Sequence, residues 1–124
     1  MNRRILMIED NEQNRYLASF LLEASGWTMF QAEDGPSGLV LARTVDPALI
    51  LLDIQLPGMD GYAVARALRA EPRSASVPIV AVTSYAMAGD RERCLAAGCD
   101  GYIEKPIDPQ NFVAQVERFI KEVP

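Results

Sequence analysis

The chain reads as an α/β domain, a doubly wound (βα)5 arrangement in which an open five-stranded parallel sheet is covered by helices on both faces. Three features lead there. Apolar runs at residues 5–8, 27–32, 48–52, 77–82 and 102–103 alternate with helix-like segments, the pattern of repeated βα units around a parallel sheet. The third run, from Ala48 to Leu52, shows no polar alternation, as a strand buried on both faces requires. A length of 124 residues suits one domain of five such units, whereas an eight-unit barrel needs about twice as much chain.

Each helix has its own signals. The first is expected to start near Asn11, to carry Leu17, Phe20, Leu21 and Ala24 on one face, and to end with Gly26 at the C′ position. Asp34-Gly35-Pro36 opens the second, with Pro36 in its first turn. Asp60-Gly61 opens the third, which runs through Val64, Ala67 and Leu68 and stops before Pro72. The fourth spans about residues 88–97, with Gly98 as its stop. In the fifth, Asp108 is the expected N-cap and Pro109 the first helical residue, while Phe112, Val113, Val116, Phe119 and Ile120 recur with helical spacing. Residues 1–124 thus read as a single domain, without a linker or low-complexity tract. Trp27, Met59 and Met87 read as packing residues.

Composition narrows the function. A hydrophobic fraction of 49% and a charged fraction of 23% are those of a soluble globular protein. A net charge of −5 argues against nucleic acid as a direct partner, since phosphate binding needs a basic surface. Arg66, Arg69 and Arg73 form a small basic stretch that reads as a solvated helix face. The N-terminal MNRRILMIED is neither a signal peptide nor a membrane helix, so the expected location is the cytoplasm. Cys94 and Cys99, with no His anywhere in the chain, cannot complete a zinc site and read as reduced structural thiols. The lack of His also removes His-based acid–base chemistry and any phosphohistidine carrier role.

Ligands of open α/β sheets sit beyond the carboxyl ends of the strands. There the sequence places Glu9 and Asp10, then Asp53, Thr83 and Lys105, after the first, third, fourth and fifth runs. Glu33 and Asp34, after the second, read as ordinary loop residues. An ionised Asp53 at the end of a buried strand must be paired, hydrogen-bonded or bound to a cation. Three carboxylates in one pocket repel each other, so a divalent cation or a raised pKa is needed. Oxygen-only ligands with room for water suit Mg²⁺. Asp10 and Asp53 are expected to coordinate directly, Gln55 through its backbone carbonyl, and Glu9 through water. Lys105 adds a fixed positive charge. A metal and an ammonium on a carboxylate are what phosphoryl transfer onto that carboxylate requires. Singly, Asp53 would pass for a turn residue, Glu9-Asp10 for a first-turn acid pair, Thr83 for a strand-end residue and Lys105 for a surface charge. Their coincidence at the strand ends marks a site.

The segments IEDN (8–11), LLDIQLPGMDG (51–61), VTS (82–84) and YIEKP (102–106) resemble, in order and across the whole chain, the receiver domain of two-component response regulators. The likeness is to single-domain regulators of chemotaxis, cell-cycle and relay pathways. It implies a flavodoxin-like strand order of 2-1-3-4-5, Asp53 as phosphoacceptor, and Glu9 and Asp10 as the acid pair holding Mg²⁺, or Mn²⁺ in its place. It also implies that Thr83, with Ser84 beside it, binds one phosphoryl oxygen and Lys105 another, and that the Lys105-Pro106 bond is cis. Thr83 would move toward the phosphoryl group and Tyr102 turn inward, changing the surface of the fourth helix, fifth strand and fifth helix. Gln55 and Tyr85, two residues beyond Asp53 and Thr83, are expected to tune the lifetime of the aspartyl phosphate by controlling access of water. The implied partners are a histidine kinase or histidine phosphotransfer protein, docking on the first helix near Asn14, Arg15 and Leu17, and a downstream protein target. No membrane or direct nucleic-acid contact is implied, and the protein would be a monomer or a phosphorylation-dependent dimer.

Three alternatives remain open. A phosphohydrolase of the haloacid dehalogenase type also uses an Asp nucleophile, Mg²⁺, Thr or Ser, and Lys. It places a second Asp two residues after the nucleophile, where this chain has Gln55, which cannot exchange a proton near neutral pH. Slow hydrolysis, and so signalling rather than enzymatic turnover, is the expectation. A flavodoxin-like cofactor binder would need a phosphate loop where EDNEQN offers carboxylates. The chain would also serve as the receiver part of a hybrid histidine kinase, or as a binding module that is not phosphorylated.

Overall fold

Strands and helices alternate as β1 (Arg4–Ile8), α1 (Glu12–Ala24), β2 (Thr28–Ala32), α2 (Gly35–Val45), β3 (Leu49–Asp53), α3 (Gly61–Ala70), β4 (Ile79–Thr83), α4 (Ala88–Ala97), β5 (Gly101–Glu104) and α5 (Phe112–Glu117). This is a computed structural model that describes residues 2–84 and 88–120; Met87 lies outside them. The strands pair in parallel in the order β2-β1-β3-β4-β5. Among the described residues, no helix is long and apolar enough to cross a membrane.

The unbroken apolar run of β3 is buried along its whole length, because alternate side chains feed two different cores. Leu49 and Leu51 join Ile5, Met7, Val80 and Val82 under α1 and α5, where Phe112 and Val116 complete one cluster. Ile50 and Leu52 join Leu6, Ile8, Val64 and Leu68 in the other, under α2, α3 and α4. The strand ends differ from the expected runs by a residue or two. β3 and β4 each run one residue further than the apolar pattern indicated, so Asp53 and Thr83 are the last strand residues rather than the first loop residues. Their backbones remain in the ladder, Asp53 opposite Val82 and Thr83 opposite Glu104.

Short polar side chains start three helices. Asn11, Asp34 and Asp60 each accept the N–H three residues ahead, at 2.9, 2.8 and 2.8 Å, which satisfies an orphan donor of the first turn. Asp34 is therefore a cap, not merely a loop residue. The end of α4 is a Schellman turn, with Gly98 N–H on Leu95 O and Cys99 N–H on Cys94 O, and it needs the positive φ of 111° that Gly98 supplies. Cys94 and Cys99 are free and buried. Burial pushes both thiols up, Cys99 to about 12, as befits unreactive structural cysteines. Gly38 lets α2 approach β1 closely, since a Cβ there would overlap the Ile8 side chain.

Three expectations are corrected. α1 buries Ala18, Ser19 and Leu22, while Leu17 and Leu21 are half-buried and Phe20 and Ala24 are exposed. Phe20 instead stacks outside the core on Tyr16, ring centroids 6.3 Å apart; the small Ala18 sets the face that sits close to the sheet. α5 begins at Phe112, not Pro109, because the Asp108 carboxylate accepts the Gln110 N–H and the Asn111 side-chain amide, and its carbonyl accepts Asn111 and Phe112 N–H. Those bonds hold residues 108–111 as a turn ahead of the helix. Arg69 is not part of a solvated face. Its guanidinium donates to the carbonyls of Gly98 (2.8 Å), Ser74 (3.0 Å) and Val77 (2.6 Å) and to Asp100 Oδ2 (2.6 Å), which also accepts the Ile79 N–H.

At the opposite end of the sheet from the strand carboxyl termini, Trp27 is buried and its indole N–H donates to Glu117 Oε2 on α5 at 2.9 Å. Arg3 lies over the ring at 5.1 Å.

Candidate functional site

The carboxyl ends of β1, β3, β4 and β5 converge on one cluster. Glu9 is fully buried. Its N–H extends the β1–β2 ladder to Ala32 O, its Oε2 accepts the Asn11 N–H at 3.2 Å, and its carbonyl accepts Arg15 Nη1 at 2.8 Å. Asp53 is 3% exposed, and its Oδ1 accepts the Gln55 N–H at 2.9 Å. Lys105 Nζ reaches both acids, at 2.8 Å from Glu9 Oε1 and 3.4 Å from Asp53 Oδ2. Asp10 stands at the solvent side, and one carboxylate oxygen from each of Glu9, Asp10 and Asp53 lies within 4.8 Å of the others.

Three carboxylates against one ammonium leave an excess of negative charge when all are ionised. Burial above all, and then the adjacent Asp53 carboxylate, push the Glu9 carboxyl up from its ordinary 4.5 to about 7; Lys105 opposes the rise. A proton on Glu9 is one way to relieve that excess and a divalent cation is another. All-oxygen donors, two of them enclosed and one open to water, fit a hard cation such as Mg²⁺.

Thr83 is fully buried at the end of β4, and its carbonyl accepts the Lys105 N–H at 2.9 Å. The Lys105–Pro106 peptide bond is cis. Tyr102 is half-buried, its ring against the α2–α3–α4 core and its hydroxyl enclosed without a hydrogen-bond partner among the described residues. Tyr85 lies outside the described residues. The structure thus brings Glu9, Asp10, Asp53, Gln55, Thr83, Ser84 and Lys105 to one end of the sheet, with Tyr102 on the flanking strand.

Two contacts of the site escaped the sequence reading. Arg15, expected on the docking face, turns inward to brace the Glu9 carbonyl and meets Glu33 at 3.3 Å; only its six-residue spacing from Glu9 hinted at this. The Ser84 hydroxyl donates to Gln55 Oε1 at 2.9 Å, a pairing between two loops that no local spacing encodes.

The chain belongs to the response regulator receiver domain family, whose model it matches over residues 5–117. It is a receiver domain of two-component signalling. It is similar to the polar-differentiation response regulator DivK of Brucella ovis, at 39% identity over 120 residues that cover 97% of this chain and 98% of that one. The receiver domain of sensor histidine kinase PA1611 from Pseudomonas aeruginosa, solved with a magnesium ion in its active-site cleft, is 33% identical with a TM-score of 0.83, covering 98% of this chain and all of that one. The chemotaxis protein CheY4 of Vibrio cholerae shares the fold at a TM-score of 0.91 and 24% identity, covering 96% of this chain and 99% of that one.

Proposed function

We propose that Asp53 is the phosphoacceptor of a phosphorylation-activated switch, taking its phosphoryl group from the phosphohistidine of a histidine kinase or histidine phosphotransfer protein. The observation that carries this is a nearly buried carboxylate held by one backbone N–H and one ammonium, with two further acids beside it. In the transfer an Asp53 carboxylate oxygen bonds to phosphorus, the P–N bond breaks, and the donor imidazole keeps the electron pair and takes up a proton. Glu9, Asp10 and Asp53, with the Gln55 carbonyl, would hold Mg²⁺ or Mn²⁺. When bound, that ion neutralises charge on the phosphoryl oxygens. Lys105 shifts its weight from Glu9 toward the phosphorylated Asp53, and the Thr83 hydroxyl takes another phosphoryl oxygen.

The response is a two-state bias in which Thr83 and Tyr102 rearrange and the α4–β5–α5 surface changes for a downstream protein. Asn14 and Leu17, on the first helix, contribute to donor docking. Gln55 and Tyr85 set the acyl phosphate lifetime. No general acid–base stands at position 55, so the protein forms and slowly loses its own phosphate instead of turning over an external substrate. The setting is a cytoplasmic relay, with the protein monomeric or dimerising on phosphorylation. The acyl phosphate is tested by intact mass after incubation with acetyl phosphate and Mg²⁺. Wild type should gain one phosphoryl group; Asp53→Asn, and wild type in EDTA, should not. No gain in folded, metal-loaded wild type would replace this reading with a phosphorylation-independent binding module.

A further inference from the structure

The contact between Ser84 and Gln55 joins the two loops that leave the acceptor strand and the strand beside it. Asp53 ends β3 and Thr83 ends β4, and the two strands are paired neighbours. Gln55 is fixed to the acceptor from below, through its N–H on Asp53 Oδ1 at 2.9 Å. Its side chain is fixed from across the mouth, through the Ser84 hydroxyl on Oε1 at 2.9 Å. Both side chains are exposed while Asp53 and Thr83 are buried, so the pair lies at the rim of the pocket and the reacting groups at its floor. A glutamine side chain left to itself spreads over many rotamers. The serine hydroxyl selects among them.

Loss of the phosphoryl group by hydrolysis needs a water in line with the bond that breaks. The water oxygen bonds to phosphorus on the side away from Asp53, the P–O bond to Asp53 breaks, and the carboxylate keeps the electron pair. The water's hydroxyl and proton leave with the phosphate. That approach is from solvent, through the rim. We propose that Ser84 is a positioning residue: its hydroxyl holds the Gln55 carboxamide across the rim of the acceptor pocket and so restricts the water that hydrolyses the acyl phosphate. This deepens the proposed function and rests on it.

The test is the decay of the phosphorylated protein after rapid removal of acetyl phosphate, followed by intact mass. Wild type is compared with Ser84→Ala, Ser84→Thr, Gln55→Ala and the Ser84→Ala, Gln55→Ala double variant. Each alanine single should decay roughly threefold to tenfold faster, the worth of one hydrogen bond. The double variant should decay no faster than the faster single, and Ser84→Thr, which keeps the hydroxyl, should restore the slow rate. Unchanged urea midpoints would separate positioning from damage to the fold. A Ser84→Ala rate equal to wild type, multiplicative effects in the double variant, or a Thr variant that behaves like Ala would each overturn the inference. Wild type that takes up no phosphoryl group, or Asp53→Asn that does, would instead overturn the acceptor assignment beneath it.

Discussion

Lys105 sits closer to Glu9 than to Asp53, at 2.8 Å against 3.4 Å, so in this state the lysine mainly answers the charge of the acid that is not the proposed acceptor. Glu9 is fully buried and would be costly to leave ionised without that ammonium. Any added positive charge among the acids releases part of this demand and frees Lys105 to turn to Asp53.

Glu9 makes the metal-free protein sensitive to alkali. Its folded-state carboxyl is raised above the ordinary 4.5 to about 7, so the folded protein binds that proton more tightly than the unfolded chain. The resulting stability is fully present below about 4.5 and is lost as pH rises through about 7. Urea unfolding without metal should therefore be harder at pH 5 than at pH 8, with a Glu9 contribution on the order of 3 kcal/mol. Glu9→Gln should flatten this dependence; an equal slope in both proteins would remove Glu9 as its source.

Divalent cation should act in the opposite sense. Mg²⁺ competes with the proton on Glu9, so its stabilising effect should be large at pH 8 and weaken below pH 7, with chelation reversing it. Thermal melts with and without Mg²⁺ at both pH values would show this. Asp10→Asn should lose most of the Mg²⁺ shift while folding normally, because Asp10 stands at the solvent side of the cluster.

Arg69→Met should cost about 2–3 kcal/mol, since three carbonyls and Asp100 lose a charged donor together. Arg69→Lys keeps the charge but not the fork and should recover less than half. Denaturant midpoints decide the matter; a variant within 0.5 kcal/mol of wild type, about the scatter of neutral surface changes, would show that the clamp is dispensable.

Gly38→Ala pits two effects against each other. Helix propensity favours Ala by about 1 kcal/mol, but a Cβ there overlaps Ile8 on β1, and overpacking costs about 1–3 kcal/mol. A net loss is expected, and Ile8→Val should cost less in the Gly38→Ala background than alone. Additive midpoints would mean that the helix simply shifts aside.

Tyr102→Phe removes an enclosed hydroxyl that has no hydrogen-bond partner among the described residues. The change should be neutral or stabilise by about 1 kcal/mol, read as a raised melting temperature. A marked loss of stability would show that the hydroxyl has a partner worth keeping.

What could be read from the sequence was whatever rests on local pattern. The bare apolar run before Asp53 identified a doubly buried strand, and acids, a hydroxyl and a lysine after successive runs located the end of the sheet that carries the site. Asn11, Gly26, Asp60 and Gly98 marked helix ends because capping is set by adjacent residues. Phe20 misled because size and apolarity suggested burial, whereas the close approach of α1 is made by Ala18. The Arg69 clamp on Gly98 and the Ser84–Gln55 bond join residues brought together only by tertiary structure, and nothing in their spacing announces them, while the Arg15 brace reaches back just six residues to Glu9.

The single tryptophan gives this domain a built-in optical gauge. Trp27 sits at the end of the sheet away from the acids, yet its indole is tied to Glu117 on α5, one of the elements proposed to change surface on phosphorylation. Loosening of that helix would break the indole's hydrogen bond and alter its emission, with no dye, tag or residue of the reacting cluster involved. Under the proposed switch, the protein's own fluorescence would register events at one end of the sheet by their effect at the other.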